Sequence, residues 1–149
     1  MGRKKKIPEN TKFFTYYNAN PLDKITGDCV IRAISTATEQ SWEQALKDLT
    51  DLALTTKESP LSVENFNHYL KNKLGWFKQK MPRKSDNSKY TGEEFINYLK
   101  QKHPEAKYVI ANIGCHHVTC FGYFNGTDLT CVDIWDCTDR CVGNYWICE

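Results

Sequence analysis

The chain has 149 residues, 40% of them hydrophobic and 26% charged, and a formal net charge of +2. This length lets a single domain, residues 1–149, bury a sizeable core without disulfides or metal ions. The balanced charge gives no support to a nucleic-acid-binding protein, and no apolar run approaches the roughly 20 residues that span a membrane.

The first feature in chain order is a basic run, Arg3–Lys6, and we expect residues 1–12 to form a flexible basic N-terminus. No signal-peptide hydrophobic region follows the run. The chain has seven cysteines, an odd number, whereas a disulfide framework needs pairs. These features predict a cytoplasmic protein with reduced thiols and no membrane partner.

A helix is predicted where a polar loop gives way to periodic apolar residues. Up to Asp28 the chain is polar, with turn signals at Asn20-Pro21 and at Gly27. Apolar side chains then recur at helical spacing from about Asp28 to Ala37. Asp28 is a suitable N-cap residue, which places Cys29 near the first helical position.

Three more helices are predicted further along the chain. They are a helix opened by the capping-box pair Ser41 and Gln44, a helix from near Ser62 to Gly75, and a helix opened by the capping-box pair Thr91 and Glu94. The segment 78–89, which is rich in basic residues, is predicted as a loop. His68 and His103 fall on predicted helix surfaces, so neither is a candidate for catalysis.

After residue 107 the hydrophobic period changes from that of a helix to that of a strand. Strands are predicted at residues 108–113, 117–124, 129–135 and 141–148. Helices followed by an antiparallel sheet predict an α+β fold.

Cys29 differs from the other cysteines in its predicted position. A thiol acts as a nucleophile only as the thiolate, and a helix N-terminus lowers the thiol pKa through its free N–H groups and the helix dipole. The other six cysteines lie within the last 35 residues, in predicted strands or turns. The charge of Asp28 opposes thiolate formation, and we expect an N-capping hydrogen bond to weaken that effect.

A histidine base for Cys29 is predicted on the strand that His117 opens. Strand alternation puts His117 and His116 on opposite faces, so only one of them can face the thiol. If residues 124–126 form a three-residue loop, His117 lies directly opposite Asp133. If Asn125-Gly126 is a two-residue turn, Asp133 points to the other face and Asp136 becomes the same-side partner.

This arrangement resembles the papain-like cysteine peptidases, which place a cysteine at a helix N-terminus before a sheet bearing histidine and Asp or Asn. Their third catalytic residue commonly precedes a tryptophan, as in Asn-Ser-Trp, and Asp133-Ile134-Trp135 is similar. The resemblance covers residues 18–146 and favours Asp133 over Asp136. It implies that Cys29 is the nucleophile, His117 the base and Asp133 its orienter, in amide acyl transfer through a thioester.

The resemblance further implies a peptide or protein substrate and no cofactor.

One position departs from the family pattern. The family usually has a glutamine about six residues before the nucleophile, where it stabilises the oxyanion, and Asp23 stands at that position. The backbone N–H of Cys29 can supply one donor. The nearby amides of Asn20 and Asn18 are the candidates for a second, although both suit a turn before Pro21.

The alternative is a non-catalytic binding module on the same fold with a structural zinc site in its C-terminal half. Soft ligands are plentiful there, at Cys115, His116, His117, Cys120, Cys131, Cys137 and Cys141. Their spacings differ from the two-residue separation of most zinc knuckles, and buried cysteines also pack as small hydrophobes. Exposed aromatic residues here lack an interleaved basic stripe, which makes nucleic acid an unfavourable partner.

Overall fold

The computed structural model describes residues 7–148. Residues 1–6 of the predicted flexible N-terminus and the last residue, Glu149, lie outside this range. Four α-helices and a six-stranded mixed sheet form an α+β fold, which confirms the predicted class. No helix in the described range is both long and apolar enough to cross a membrane.

Each predicted helix is present. The helices are α1 (Cys29–Thr38), α2 (Trp42–Thr56), α3 (Val63–His68), which continues as a π-helical segment (Tyr69–Lys73), and α4 (Gly92–Lys102). The capping box of Thr91 and Glu94 is complete. At α2 only half of the predicted box forms, because Ser41 accepts from the Gln44 backbone N–H while the Gln44 side chain donates to Asp48.

The four predicted C-terminal strands pair antiparallel, as expected, and the sheet is mixed only because an additional N-terminal strand pairs in parallel. Its strands are β1 (Phe14–Tyr16), β2 (Phe77–Gln79), β3 (Tyr108–Ile113), β4 (His117–Gly122), β5 (Thr130–Asp133) and β6 (Val142–Ile147). They lie in the order β1-β5-β4-β3-β6-β2, with β1 parallel to β5. Two of these strands were not predicted from the sequence. β1 lies in the predicted N-terminal loop, and β2 overlaps the predicted loop 78–89.

The two short strands are edge strands, and this explains why sequence periodicity did not reveal them. Three residues are too few to show alternation, and each strand forms only through pairing with a distant partner. Phe14 pairs with Cys131, and Phe77 pairs with Ile147. Their existence therefore depends on tertiary contacts, not on local propensity.

The hairpin between β4 and β5 has neither of the two predicted loops. Gly122 pairs with Thr130, so seven residues join the strands, and the turn at Tyr123 and Gly126 is only part of this connection. The register differs by two residues from the three-residue alternative. Since side chains alternate with a period of two, the shift keeps His117 and Asp133 on one face.

Hydrophobic clusters cover both faces of the sheet. One cluster joins α1, α2 and α3 to Tyr108, Ile110, Val118, Cys120 and Trp146. The other joins α4 to the alternate residues of the same strands, including Val109, Ala111, Phe121 and Tyr145. Helix α1 packs across β4, β3 and β5. This packing brings the N-terminus of α1 to the start of β4.

Candidate active site

Cys29 is the first residue of α1 and is half-buried. The hydrogen-bonding neighbours of its thiol are the imidazole of His117 and the backbone N–H of Val118, both at the start of β4. The cysteine predicted to be the nucleophile and the histidine predicted to be its base therefore meet. The contact is made by residues 88 positions apart in the chain, through the packing of α1 on the sheet.

Asp28 occupies the N-cap position, but its side chain makes no capping hydrogen bond, which corrects the expectation from the sequence. Its carboxylate instead accepts from Arg32 Nη1 at 2.6 Å, Trp42 Nε1 at 2.9 Å and Asn20 Nδ2 at 3.2 Å. The charge of Arg32 compensates that of Asp28. Because the carboxylate is turned away, it does not compete for the free N–H groups of the first turn of α1.

His117 is held by Asp133 at the end of β5. His117 Nε2 is hydrogen-bonded to Asp133 Oδ2 at 2.6 Å. Because Nε2 is engaged by the carboxylate, Nδ1 is the ring nitrogen left for the thiol. The indole ring of Trp135 packs against the imidazole, with ring centroids 5.0 Å apart.

Asp133 is 5% exposed and its carboxylate is fully hydrogen-bonded. Besides His117, Oδ2 accepts from the Thr119 hydroxyl at 2.7 Å, and Oδ1 accepts from the Ile134 backbone N–H at 2.7 Å. Arg32 Nη2 lies 3.5 Å from Oδ1. These contacts fix the carboxylate, which in turn fixes the orientation of the imidazole.

The electrostatics favour a thiolate beside an imidazolium. Burial raises the pKa of the Cys29 thiol, but His117, the Val118 N–H and the charge of Arg32 together lower that pKa below its usual value. Burial lowers the pKa of His117, whereas its hydrogen bonds with Asp133, Cys137 and Cys29 and the charge of Asp133 raise it to about 11. Both shifts have the sign expected of an ion pair.

Cys137, which the sequence offered only as a candidate zinc ligand, is a second thiol at this site. It is fully buried, with its Sγ 3.6 Å from that of Cys131 and 4.0 Å from Asp133 Oδ2. The hydrogen bond with Cys131 lowers the pKa of the Cys137 thiol, burial opposes this, and His117 lowers it further. The turn after β5 brings Cys137 to this site. The spacing of Cys137 from His117 and Asp133 in the sequence did not predict this contact.

The predicted zinc ligands do not converge as a set. Cys115 and Cys141 are exposed, while Cys120 is buried on the face of the sheet that α1, α2 and α3 cover. Among residues 7–148, the one group of three or more side chains placed to hold a metal ion is His117, Asp133 and Cys137. His116, the alternative histidine, is exposed.

Asp136, the alternative orienter, is exposed, and its carboxylate accepts from the backbone N–H and hydroxyl of Thr138. The structure does not bring it to His117. Of the remaining histidines, His68 is exposed, whereas His103 packs against Tyr145 with Nε2 2.9 Å from the phenol oxygen. His103, the C-cap residue of α4, is half-buried by this contact.

The two candidate oxyanion amides shape the loop before the nucleophile. Asn18 Nδ2 donates to the Lys24 carbonyl, and Asn20 Nδ2 donates to Asp28. Asp23, at the position of the family glutamine, is exposed and has a positive φ of 53°. These contacts support the turn-forming role that the sequence suggested for both asparagines.

Comparison of the chain with protein-family models, curated proteins and solved structures found no match. Function is therefore inferred from the geometry of the site.

Proposed function

We propose that this protein is a compact papain-like cysteine hydrolase that acts on an amide of a peptide or protein. Cys29 is its nucleophile, His117 its general base and acid, and Asp133 the residue that orients the imidazole. The observation that carries the proposal is the contact chain Cys29–His117–Asp133, with the final link at 2.6 Å. A nucleophile hydrogen-bonded to a base, which is itself hydrogen-bonded to an orienting residue, is the arrangement expected of a nucleophilic active site.

In the first step the Cys29 thiolate attacks the amide carbonyl carbon and forms a C–S bond. The carbonyl electrons move to oxygen, and the backbone N–H of Cys29 stabilises the resulting oxyanion. When the tetrahedral intermediate collapses, the C–N bond breaks and the imidazolium of His117 protonates the leaving amine. The product is a thioester on Cys29.

In the second step His117 acts as a base. Its Nδ1 removes a proton from water, or from an acceptor amine, which attacks the thioester carbonyl. The C–S bond then breaks, the acyl product leaves, and the thiolate–imidazolium pair is restored. Asp133 keeps Nδ1 directed to the thiol in both steps and stabilises the positive charge whenever the ring is protonated.

The second candidate is a non-catalytic module with zinc, and the group formed by His117, Asp133 and Cys137 favours it. However, His117 Nε2 and Asp133 Oδ2 are 2.6 Å apart. Two ligand atoms on one tetrahedral zinc ion, each at about 2.0 Å from it, are separated by roughly 3.3 Å. Zinc would have to break this hydrogen bond, so we favour catalysis. Metal analysis of the purified protein distinguishes the two.

Iodoacetamide alkylation, read at Cys29 by peptide mass spectrometry between pH 4 and pH 10, tests the catalytic proposal without a known substrate. We expect the wild-type midpoint to lie well below that of the exposed Cys115 and Cys141 in the same sample. His117→Ala should move the Cys29 midpoint up towards theirs, whereas the matched control His116→Ala should not. A wild-type Cys29 that titrates like the exposed thiols would contradict the proposal.

A further inference from the structure

Arg32 lies one turn beyond Cys29 on α1, with its charge buried between two carboxylates. Its Nη1 is 2.6 Å from Asp28 Oδ1, and its Nη2 is 3.5 Å from Asp133 Oδ1. The three side chains are 7%, 3% and 4% exposed, in the order Arg32, Asp28, Asp133. Its Nε is buried without a hydrogen-bond partner within residues 7–148.

This arrangement joins the two halves of the candidate site. Asp28 directly precedes the nucleophile on α1, and Asp133 on β5 holds the imidazole of His117. The planar guanidinium presents donors in a fork and can contact both carboxylates at once, which a lysine ammonium cannot do with the same geometry. A buried charge that leaves one donor unsatisfied is costly for folding, so stability alone is a poor explanation for it.

Asp28 directly precedes Cys29 in the chain, and its buried negative charge would disfavour a thiolate there if it were uncompensated. Among residues 7–148, the charged and titratable groups around the thiol include His117 from β4, Asp133 and Cys137 beside that imidazole, and Asp28 and Arg32 at the start of α1. Tyr17 and Cys120 line the same cavity as the thiol. Asp28 is also bound by the neutral donors Trp42 and Asn20, which carry no compensating charge.

We propose that Arg32 is a positioning residue that neutralises Asp28 beside the nucleophile and ties α1 to the carboxylate that orients His117. The inference rests on the proposed function, because it concerns the same thiol. Arg32 touches no reacting atom in this scheme. It acts through Asp28 on the protonation of Cys29, and through Asp133 on the placement of the imidazole.

The test compares the pH midpoint of Cys29 alkylation in Arg32→Gln, Asp28→Asn, the double variant and the wild type. We expect Arg32→Gln to raise the midpoint by about one pH unit, which slows alkylation about tenfold below the midpoint. Asp28→Asn should lower the midpoint, and the double variant should return it to near the wild-type value. Arg32→Lys should give a partial shift, because one ammonium cannot span both carboxylates.

The matched control is Arg140→Gln, which removes an exposed arginine from its ion pair with Asp139 and should leave the Cys29 midpoint unchanged. A folded Arg32→Gln variant with the wild-type midpoint overturns the inference. If Arg32→Gln does not fold, the comparison of Asp28→Asn with the double variant decides, since equal midpoints mean that the thiol does not sense Arg32.

The experiment distinguishes failure of the inference about Arg32 from failure of the proposed function. A wild-type Cys29 with an ordinary midpoint contradicts the catalytic proposal, whatever the variants do. A low wild-type midpoint that Arg32→Gln leaves in place retains the catalytic proposal and removes only the role of Arg32.

Discussion

His117 and Asp133 meet diagonally across neighbouring strands, with Nε2 and Oδ2 2.6 Å apart. The pairing of Cys120 with Val132, continued by one residue, places Thr119 opposite Asp133, and the Thr119 hydroxyl donates to the same oxygen at 2.7 Å. One carboxylate oxygen thus accepts from two consecutive same-face residues of β4. This geometry makes Asp133 both the partner of the imidazole and its anchor to the sheet.

Replacing Asp133 by Asn removes the negative charge that stabilises the imidazolium. We expect the pKa of His117 to fall and Cys29 alkylation at pH 6 to slow at least about tenfold, equivalent to one pKa unit. The free energy of unfolding should drop by about 3 kcal/mol, because Arg32 loses a buried partner. Alkylation kinetics and urea unfolding measure the two effects. Asp136→Asn is the control, and an equal effect of both substitutions would show that Asp133 has no special role.

Trp135 covers the imidazole of His117 while remaining 38% exposed itself. Trp135→Ala should admit water to the hydrogen bond between His117 and Asp133 and weaken it, because the local dielectric rises. The pKa of His117, followed by NMR titration with His116 as an internal reference, should therefore fall. Phe77→Ala removes another exposed ring, on the edge strand β2, and should leave the titration unchanged.

The raised pKa of His117 makes stability depend on pH in a definite direction. Its pKa is about 11 in the folded protein and about 6.5 in the unfolded chain, so folding favours the protonated ring. The stability that His117 contributes is complete below about pH 6.5 and is lost as the pH rises through about 11. Relative to His117→Gln, the wild-type advantage in unfolding free energy should shrink across this window. An advantage that grows with pH would contradict the assignment.

Gly122, the last residue of β4, is required by the ring of Tyr108 on the paired strand. A Cβ at position 122 would lie 2.1 Å from the Tyr108 Cδ1 atom, and the ring belongs to the core. Gly122→Ala should lower the free energy of unfolding by about 1–3 kcal/mol, as overpacked core substitutions do. Gly27→Ala has open space around its Cβ and should have little effect in the same denaturation experiment.

Local patterns in the sequence were sufficient for the class of fold and for most of its elements. The four helices follow from helical periodicity and from caps within three residues of each other, as at Thr91 and Glu94. The longer strands follow from a period of two, and β3 occupies residues 108–113 as predicted. The same alternation separated His117 from His116, but it left both Asp133 and Asp136 as possible partners, because the register was not determined.

Tertiary structure alone decided the features that depend on distant residues. The length of the β4–β5 connection could not be read from Asn125-Gly126, because those residues suit several turns, and the pairing of Gly122 with Thr130 set the register. Asp28 was expected to cap α1, yet its carboxylate binds Trp42 and Asn20 as well as Arg32, which lies one turn along the helix. The approach of Cys137 to His117 likewise depends on the turn after β5.

The physical reason for this division is the separation along the chain over which each interaction acts. Periodicity and capping act within one or two turns of the chain, so the sequence by itself determined the helices, the long strands and the face on which His117 lies. Strand register, edge strands and the contact between Arg32 and Asp133 depend on residues that are distant in the chain. Asp28 and Arg32 are four residues apart in the chain, but only the packing of α1 on the sheet decided that the same buried guanidinium also lies 3.5 Å from Asp133.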